Sequence, residues 1–478
     1  MKSRIWNVVP AWVVLLCGCL GSFGVGVGNG LAYAHESESV PFVVLGPKAF
    51  EGALEDYLRF KRELLPTEFV SLEQVLKSSD GADDPERVKR YLFDRWKNSE
   101  LRYVLLVGDV DVMPVRYMVL DRVTPAAFDY AFYPSDLYYS DLARSDGNFD
   151  DWNGSKEAFH AGYFGEVRGE KNKQDPINYD AVDYRPDIAV GRWPVSTIEE
   201  VRRVAEKTMA YERGVRSGMK PNQNRAAVLM VGGWVDARAR LDSLANELAA
   251  NWTVEKRFYS DGNRKFRTPP PDEAQLVEIL NGGAGLVVHA GHGNDMAWEQ
   301  CFSVDSMGKL TNADRLPVMI SAGCSTAICG ALGPYQAYLD VDGKEHEGTD
   351  RGEVFSAPPP PPAAYQTGRF NPTGLGEQLL RRDMQGAVAY IGCNTGSQPC
   401  GLTLLDGFVK AVVGNADVRL GDAWMSAVKY YYEQERLASI VPNNDWYPAS
   451  IFFQGMKFML FGDPTLPLQR MPEMGDVD

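Results

Sequence analysis

The chain has 478 residues, 45% of them hydrophobic and 24% charged, which is enough apolar material for two or three packed domains. Its formal net charge of -15 leaves no basic surplus to displace counterions from a polyanion, so no nucleic acid or anionic membrane partner is expected.

At the N-terminus, Lys2 and Arg4 precede an apolar stretch from Val8 to Cys19, and Ala32-Tyr33-Ala34 forms a small-x-small site. This layout predicts a signal peptide over 1–34 and an exported product, either secreted or held at the cell envelope. Leu16-Cys17-Gly18-Cys19 offers a second reading, an imperfect lipoprotein box with Cys19 lipidated. No later apolar run is long enough to span a bilayer, so no transmembrane segment is expected in the mature chain. Strand-like runs then recur at Phe42–Leu45, Tyr103–Val107, Ile188–Val190, Ala226–Val231, Leu286–Val288, Val318–Ile320 and Ala387–Ile391, each followed by a helix-like stretch. Such alternation predicts an α/β fold with mostly parallel sheets. A helix over Glu199–Arg213, capped by Ser196 or Thr197, leads into the polar link Ser217–Arg225. That link separates an N-terminal α/β subdomain, 35–216, from a C-terminal catalytic α/β subdomain, 217–470, with 471–478 as a tail. Two segments break the alternation: an acidic, loop-rich region from Pro134 to Asp187, and a Pro-rich insertion, 330–373, whose Pro358–Pro362 run should be extended.

The chemistry concentrates at two strand ends, Leu286-Val-Val-His-Ala-Gly-His-Gly293 and Pro317-Val-Met-Ile-Ser-Ala-Gly-Cys324. Ligands bind beyond the carboxyl ends of parallel strands, so His292 and Cys324 are expected to face one cleft. Peptide-bond cleavage by a thiol needs a sulfur nucleophile, a proton donor for the departing amine and donors for the oxyanion. Cys324 supplies the first and His292 the second, and the N–H groups of Gly293 and Cys324 are the expected oxyanion donors. His289 reads as a packed or cleft-wall residue. Beyond the leader the cysteines are Cys301, Cys324, Cys329, Cys393 and Cys400, an odd number in an exported chain. Cys393 with Cys400, and Cys301 with Cys329, are the candidate local pairs. Asp146, Asn148 and Asp150 alternate along a flexible loop, the spacing with which a hard cation such as Ca2+ collects oxygens, with Asp151 or Glu166 as possible helpers. The chemistry itself requires no cofactor.

Gly291-His-Gly-Asn-Asp-Met-Ala-Trp298, Leu310-Thr-Asn312, Leu316-Pro317 and Ile320-Ser-Ala-Gly-Cys-Ser-Thr-Ala327 closely resemble the catalytic stretch of the gingipain family of cysteine peptidases, relatives of caspases and legumains. Arg102–Asp109, Asp136–Asp141, Pro186–Thr197, Gly376–Leu380 and Phe461–Leu466 resemble further family blocks in the family's order. The resemblance implies two caspase-like α/β/α subdomains and a secreted cysteine endopeptidase acting on peptide or protein substrates through an acyl-enzyme. It implies Cys324 as nucleophile, His292 as the acid to the departing amine, and a structural role for Glu377. Asp236, Trp298 and Asn394 are the candidate substrate-binding residues. A pocket carboxylate would favour cleavage after Arg or Lys; Asp236 is nearer the expected register than Asp242, and Arg238 could reverse the preference. The wall from Asn394 to Gly401 carries Pro399 where some relatives carry an aromatic. Two alternatives remain open at this point: a transpeptidase using the same dyad, and a catalytically silent peptidase-like domain that binds peptides.

Overall fold

The computed structural model describes residues 39–119, 132–154, 162–167, 177–218, 224–262, 265–442 and 454–469. The expected signal peptide with Cys19 and the tail 471–478 lie outside the described residues.

The apolar runs become the interior strands of one ten-stranded sheet. In chain order these are β1 (Phe42–Gly46), β2 (Thr67–Ser71), β3 (Tyr103–Val107), β4 (Ala189–Trp193), β5 (Arg225–Met230), β6 (Thr253–Phe258), β7 (Leu286–Ala290), β8 (Val318–Ser321), β9 (Ala389–Cys393) and β10 (Phe458–Phe461). Their order across the sheet is β2-β1-β3-β4-β10-β9-β8-β7-β5-β6. Neighbours are parallel except β9 and β10. Side chains alternate between the faces, so Val43 and Leu45 enter one apolar cluster and Phe42 and Val44 the other. Helices cover both faces, which is why β1, β3 and β7 are apolar at nearly every position. The two edge strands are more polar: β2 carries Glu68, and β6 carries Glu255, Lys256 and Arg257, as edges open to solvent require.

The strands before residue 217 occupy one end of the sheet and those after it the other, joined where β10 lies beside β4. Polar residues pin that seam. Arg192 of β4 is fully buried, donates twice to Asp136, and also donates to the carbonyls of Gly108, Met113 and Pro114. Just past β10, Asp463 accepts from Tyr57 at 2.8 Å and pairs with buried Lys61 at 2.9 Å. The expected helix forms over Ile198–Arg216, capped by Thr197, whose side chain accepts from Glu200 while Glu200 reaches back to the cap.

The insertion is packed onto the body. Val115 N–H donates to Ala364 O, and the Tyr163 and Tyr338 hydroxyls donate to carbonyls of the proline run. Its own small core joins Ala331, Tyr338 and Phe370.

Candidate active site

β7 and β8 are adjacent and parallel, so His292, two residues beyond β7, and Cys324, three beyond β8, leave the sheet at the same edge. Two glycines bring the loops together. A Cβ at Gly291 would lie 2.0 Å from Val231 Cγ2, so only glycine lets the chain turn there. A Cβ at Gly293 would lie 3.0 Å from Cys324 O and 3.1 Å from Gly323 Cα, so the His292 loop rests directly on the Cys324 loop.

His292 and Cys324 are both half-buried. The His292 Nε2 makes a 2.8 Å hydrogen bond with Gly233 O, from the turn after β5, which orients the ring. The Cys324 sulfur accepts from Ser397 N–H at 3.3 Å, and its thiol donates to Ser397 O at 3.8 Å. Ser325, directly after Cys324, takes a left-handed φ of 54°, held by its N–H bond to Thr395 O. Glu299 N–H donates to His292 O, which makes Gly293 and Trp298 a non-hydrogen-bonded pair of their hairpin. That ladder therefore leaves the Gly293 N–H uncommitted. The segments that follow four neighbouring strands, β9, β8, β7 and β5, thus meet at this edge of the sheet.

Beneath it, His289 is packed as a core residue. Its ring stacks on Trp298 at 4.4 Å, its Nδ1 bonds with Ser321 Oγ at 2.9 Å, and that hydroxyl accepts from Gly323 N–H at 3.0 Å. Burial lowers the His289 pKa to about 3, so the ring is neutral and serves as a floor under the Gly323–Cys324 turn.

Several expected site residues lie elsewhere than the sequence suggested. Trp298 is fully buried and donates its Nε1–H to Tyr390 OH at 2.8 Å, so it supports the site from inside and cannot touch substrate. Asn394 is also fully buried and spends its amide on Pro134 O at 2.6 Å. Asp236 is exposed, yet its carboxylate grips Arg238, which Asp261 holds from the other side. That hydrogen bonding lowers the Asp236 pKa to about 2. Asp242 pairs with Lys256 at 2.7 Å.

The expected calcium ligands are committed to internal donors. Asp146 accepts from the backbone and side-chain amides of Asn148. Asp150 is buried and accepts from Arg144 Nε and Asp183 N–H. Positive charge for this acidic region comes from buried Lys89, whose ammonium lies over Tyr138, Trp152 and Phe149 at 4.6, 5.2 and 5.3 Å and feels Asp141, Asp150 and Asp151. As placed, the Asp146 and Asp150 carboxylates already accept from the chain's own donors. The candidate disulfides are not formed: all five described cysteines are free, and Cys301, Cys329 and Cys393 are buried among apolar side chains. Glu377 is fully buried; it accepts from Gly374 N–H to cap the helix Leu375–Arg381 and lies beside Asp109 and Arg381.

What the sequence could not reveal is the segment after β9, where Ser397 meets the sulfur through its backbone, an interaction with no side-chain signature.

A ten-stranded, mostly parallel sheet covered by helices on both faces is the caspase-like α/β fold. The model of peptidase family C25 matches residues 35–346 and 362–469, and the chain belongs to this family. Among curated relatives, gingipain R2 of Porphyromonas gingivalis is 22% identical over 293 residues, covering 61% of this chain and 33% of the relative. Gingipain R1 of the same species is 21% identical over 293 residues, covering 61% of this chain and 24% of the relative. An uncharacterized protein of Archaeoglobus fulgidus is 23% identical, covering 55% of this chain and 60% of the relative. This chain thus spans about a third of gingipain R2. The solved Arg-specific cysteine proteinase gingipain R superposes with a TM-score of 0.58 at 18% identity, covering 90% of this chain and 79% of that one. The complex of pro- and mature domains of RgpB from Porphyromonas gingivalis gives 0.57 at 17% identity, covering 89% and 79%. At these identities the structural likeness shows the fold.

Proposed function

We propose that this chain is an exported cysteine endopeptidase in which Cys324 attacks the scissile carbonyl. The observation that carries this reading is the contact between the Gly291–Gly293 and Gly323–Cys324 loops at neighbouring strand ends, with His292 oriented by Gly233 O. As the thiol proton passes to His292, attack by the sulfur forms a tetrahedral intermediate whose oxygen is received by the N–H groups of Gly293 and Cys324. His292 then delivers a proton to the departing amine, leaving an acyl-enzyme on Cys324. Water activated by the same imidazole attacks that acyl carbon, releases the acid and restores the thiol. The residues present require no metal or organic cofactor for these steps.

Substrate choice does not rest on Asp236 as a free carboxylate, because Arg238 already occupies it. Cleavage-site profiling on a mixed peptide library tests both activity and pocket polarity. Wild-type protein should cleave peptides and be labelled by a thiol-directed affinity probe at Cys324, and Cys324→Ala should lose both. Cleavage that survives in that variant overturns the assignment. Labelling without cleavage favours the silent binding domain, and acyl transfer to added amines in preference to water favours a transpeptidase.

A further inference from the structure

Ser321, the last residue of β8, and Thr326, two residues past Cys324, are both fully buried, and their hydroxyls hold Gly323 at both of its backbone polar groups. Ser321 Oγ accepts from Gly323 N–H at 3.0 Å, and Thr326 Oγ1 donates to Gly323 O at 3.3 Å. That carbonyl belongs to the same planar peptide group as the Cys324 N–H, so anchoring its oxygen sets the direction in which the N–H points.

The neighbouring amides of the turn are spent on the body of the protein. Ala322 N–H donates to His289 O and Ser325 N–H to Thr395 O, while the Cys324 N–H has no acceptor among the described residues. The two hydroxyls are themselves held in place. His289, neutral and stacked on Trp298, takes the Ser321 proton at Nδ1 across 2.9 Å, which leaves an oxygen lone pair for Gly323. Thr326 O accepts from Gly376 N–H, in the first turn of the helix Leu375–Arg381. A Cβ at Gly323 would lie 3.2 Å from Ser321 Oγ, 3.2 Å from Thr326 Cγ2 and 3.3 Å from Gly293 Cα, so the clamp closes on glycine and rests against the Gly293 loop. Burying a hydroxyl costs stability that an apolar side chain would not, and here two are buried where each bonds the same glycine.

We propose that Ser321 and Thr326 are positioning residues for the reaction: their hydroxyls fix the Gly323–Cys324 peptide group so that the Cys324 N–H faces the oxygen of the tetrahedral intermediate. The inference deepens the peptidase reading and rests on Cys324 being the nucleophile. A donor fixed in place beforehand costs no reorganisation as charge develops on that oxygen, so the hydroxyls act on the transition state and leave ground-state binding alone.

The test removes one hydroxyl at a time from the full chain, with Ser321→Ala and the nearly isosteric Thr326→Val. The measurements are kcat and KM on a peptide found by library profiling, the inhibition constant of a peptide aldehyde of the same sequence, and the rate of iodoacetamide alkylation of Cys324. Addition of the thiol across the aldehyde C=O gives a tetrahedral adduct whose oxygen calls on the same N–H, whereas alkylation needs no such donor. Each variant should lose about tenfold to a hundredfold in kcat, part of the roughly 10²–10³ that one oxyanion donor supplies, with KM within about twofold. The aldehyde should bind more weakly by the factor lost from kcat/KM, and alkylation should stay within about twofold of wild type. Thr326→Ser, which keeps the hydroxyl, should recover most of kcat. Should Ser321→Ala fail to fold, Thr326→Val carries the same expectation. A folded variant with wild-type kcat and aldehyde affinity overturns the inference for the residue replaced, and so does a loss of alkylation as large as the loss of kcat, which marks a general loosening of the turn. The two readings fail separately. An active wild type whose kcat ignores both hydroxyls overturns the positioning alone, whereas a wild type that neither cleaves peptides nor binds the aldehyde overturns the peptidase reading and the inference with it.

Discussion

Replacing Gly293 with alanine tests the site at its tightest point. The added methyl would meet Thr326 Cγ2 at 2.6 Å, Cys324 O at 3.0 Å and Gly323 Cα at 3.1 Å. Thr326 is fully buried and two of the three contacts are backbone, so relief must come from the histidine loop lifting off the nucleophile turn. That movement withdraws the Gly293 N–H from the oxyanion and shifts His292 with it. Loss of one oxyanion donor costs roughly 10²–10³ in kcat, about 2.7–4 kcal/mol of transition-state stabilisation. Steady-state hydrolysis of a peptide found by library profiling gives kcat and KM, and iodoacetamide alkylation reports whether the Cys324 thiol is still presented. The expected result is kcat reduced by about two orders of magnitude or more with alkylation nearly unchanged. Adding Thr326→Ser removes the nearest methyl but leaves both backbone contacts, so it should recover only part of the loss. A Gly293→Ala enzyme within about threefold of wild-type kcat would refute the oxyanion role of this amide, since that role requires at least a hundredfold effect.

Trp298→Phe removes the Nε1 bond to Tyr390 and should lower unfolding free energy by about 0.5–1.5 kcal/mol in denaturant titration while leaving KM unchanged. A raised KM would return Trp298 to the substrate pocket. Asp236→Asn should change the preference for Arg-containing peptides by less than about threefold, under 1 kcal/mol, because its charge is already spent on Arg238. A tenfold loss would show that the carboxylate reaches substrate. Burial, reinforced by Asp109, raises the Glu377 pKa well above the ordinary glutamate range, so the folded chain binds its proton more tightly than the unfolded one. The associated stability is complete below the ordinary glutamate pKa and is lost as pH rises through the elevated folded value. Glu377→Gln should flatten that decline in melts followed from pH 4 upward, and an unchanged slope would assign the titration to another group. Chelation by EDTA should leave the melting temperature unmoved, since Asp146 and Asp150 are bound to the chain's own donors. A fall would reinstate a cation.

The parts of the fold that were legible in sequence are those buried on both sides. Tyr103–Val107 and Leu286–Ala290 are uninterrupted apolar runs because helices cover both faces, and this left the α/β class in no doubt. Thr67–Ser71 and Thr253–Phe258 escaped notice because they are edge strands, where Glu68 or Lys256 can face water. Phe458–Phe461 is apolar enough, but its place between the two halves, antiparallel to β9, depends on partners distant in sequence. At the site, Cys324 and His292 could be read because glycines and apolar runs mark their strand ends. Trp298 and Asn394 read as pocket residues because side-chain type says nothing of burial. Ser397 was invisible for the opposite reason, since it acts through an amide that any residue but proline would supply.

On the proposed peptidase reading, the position of β10 also bears on when the molecule could first cut the proteins of its maker. This strand is synthesised after every other member of the sheet, yet it sits between β4 and β9, so the two halves can knit together only once it has emerged. Lys457, whose ammonium donates to Gly396 O, immediately precedes it. A nascent chain would therefore carry its thiol and imidazole from residue 324 until residue 458 with the sheet between its halves unfinished, and on the proposed peptidase reading cleaving power would arrive as the last act of assembly.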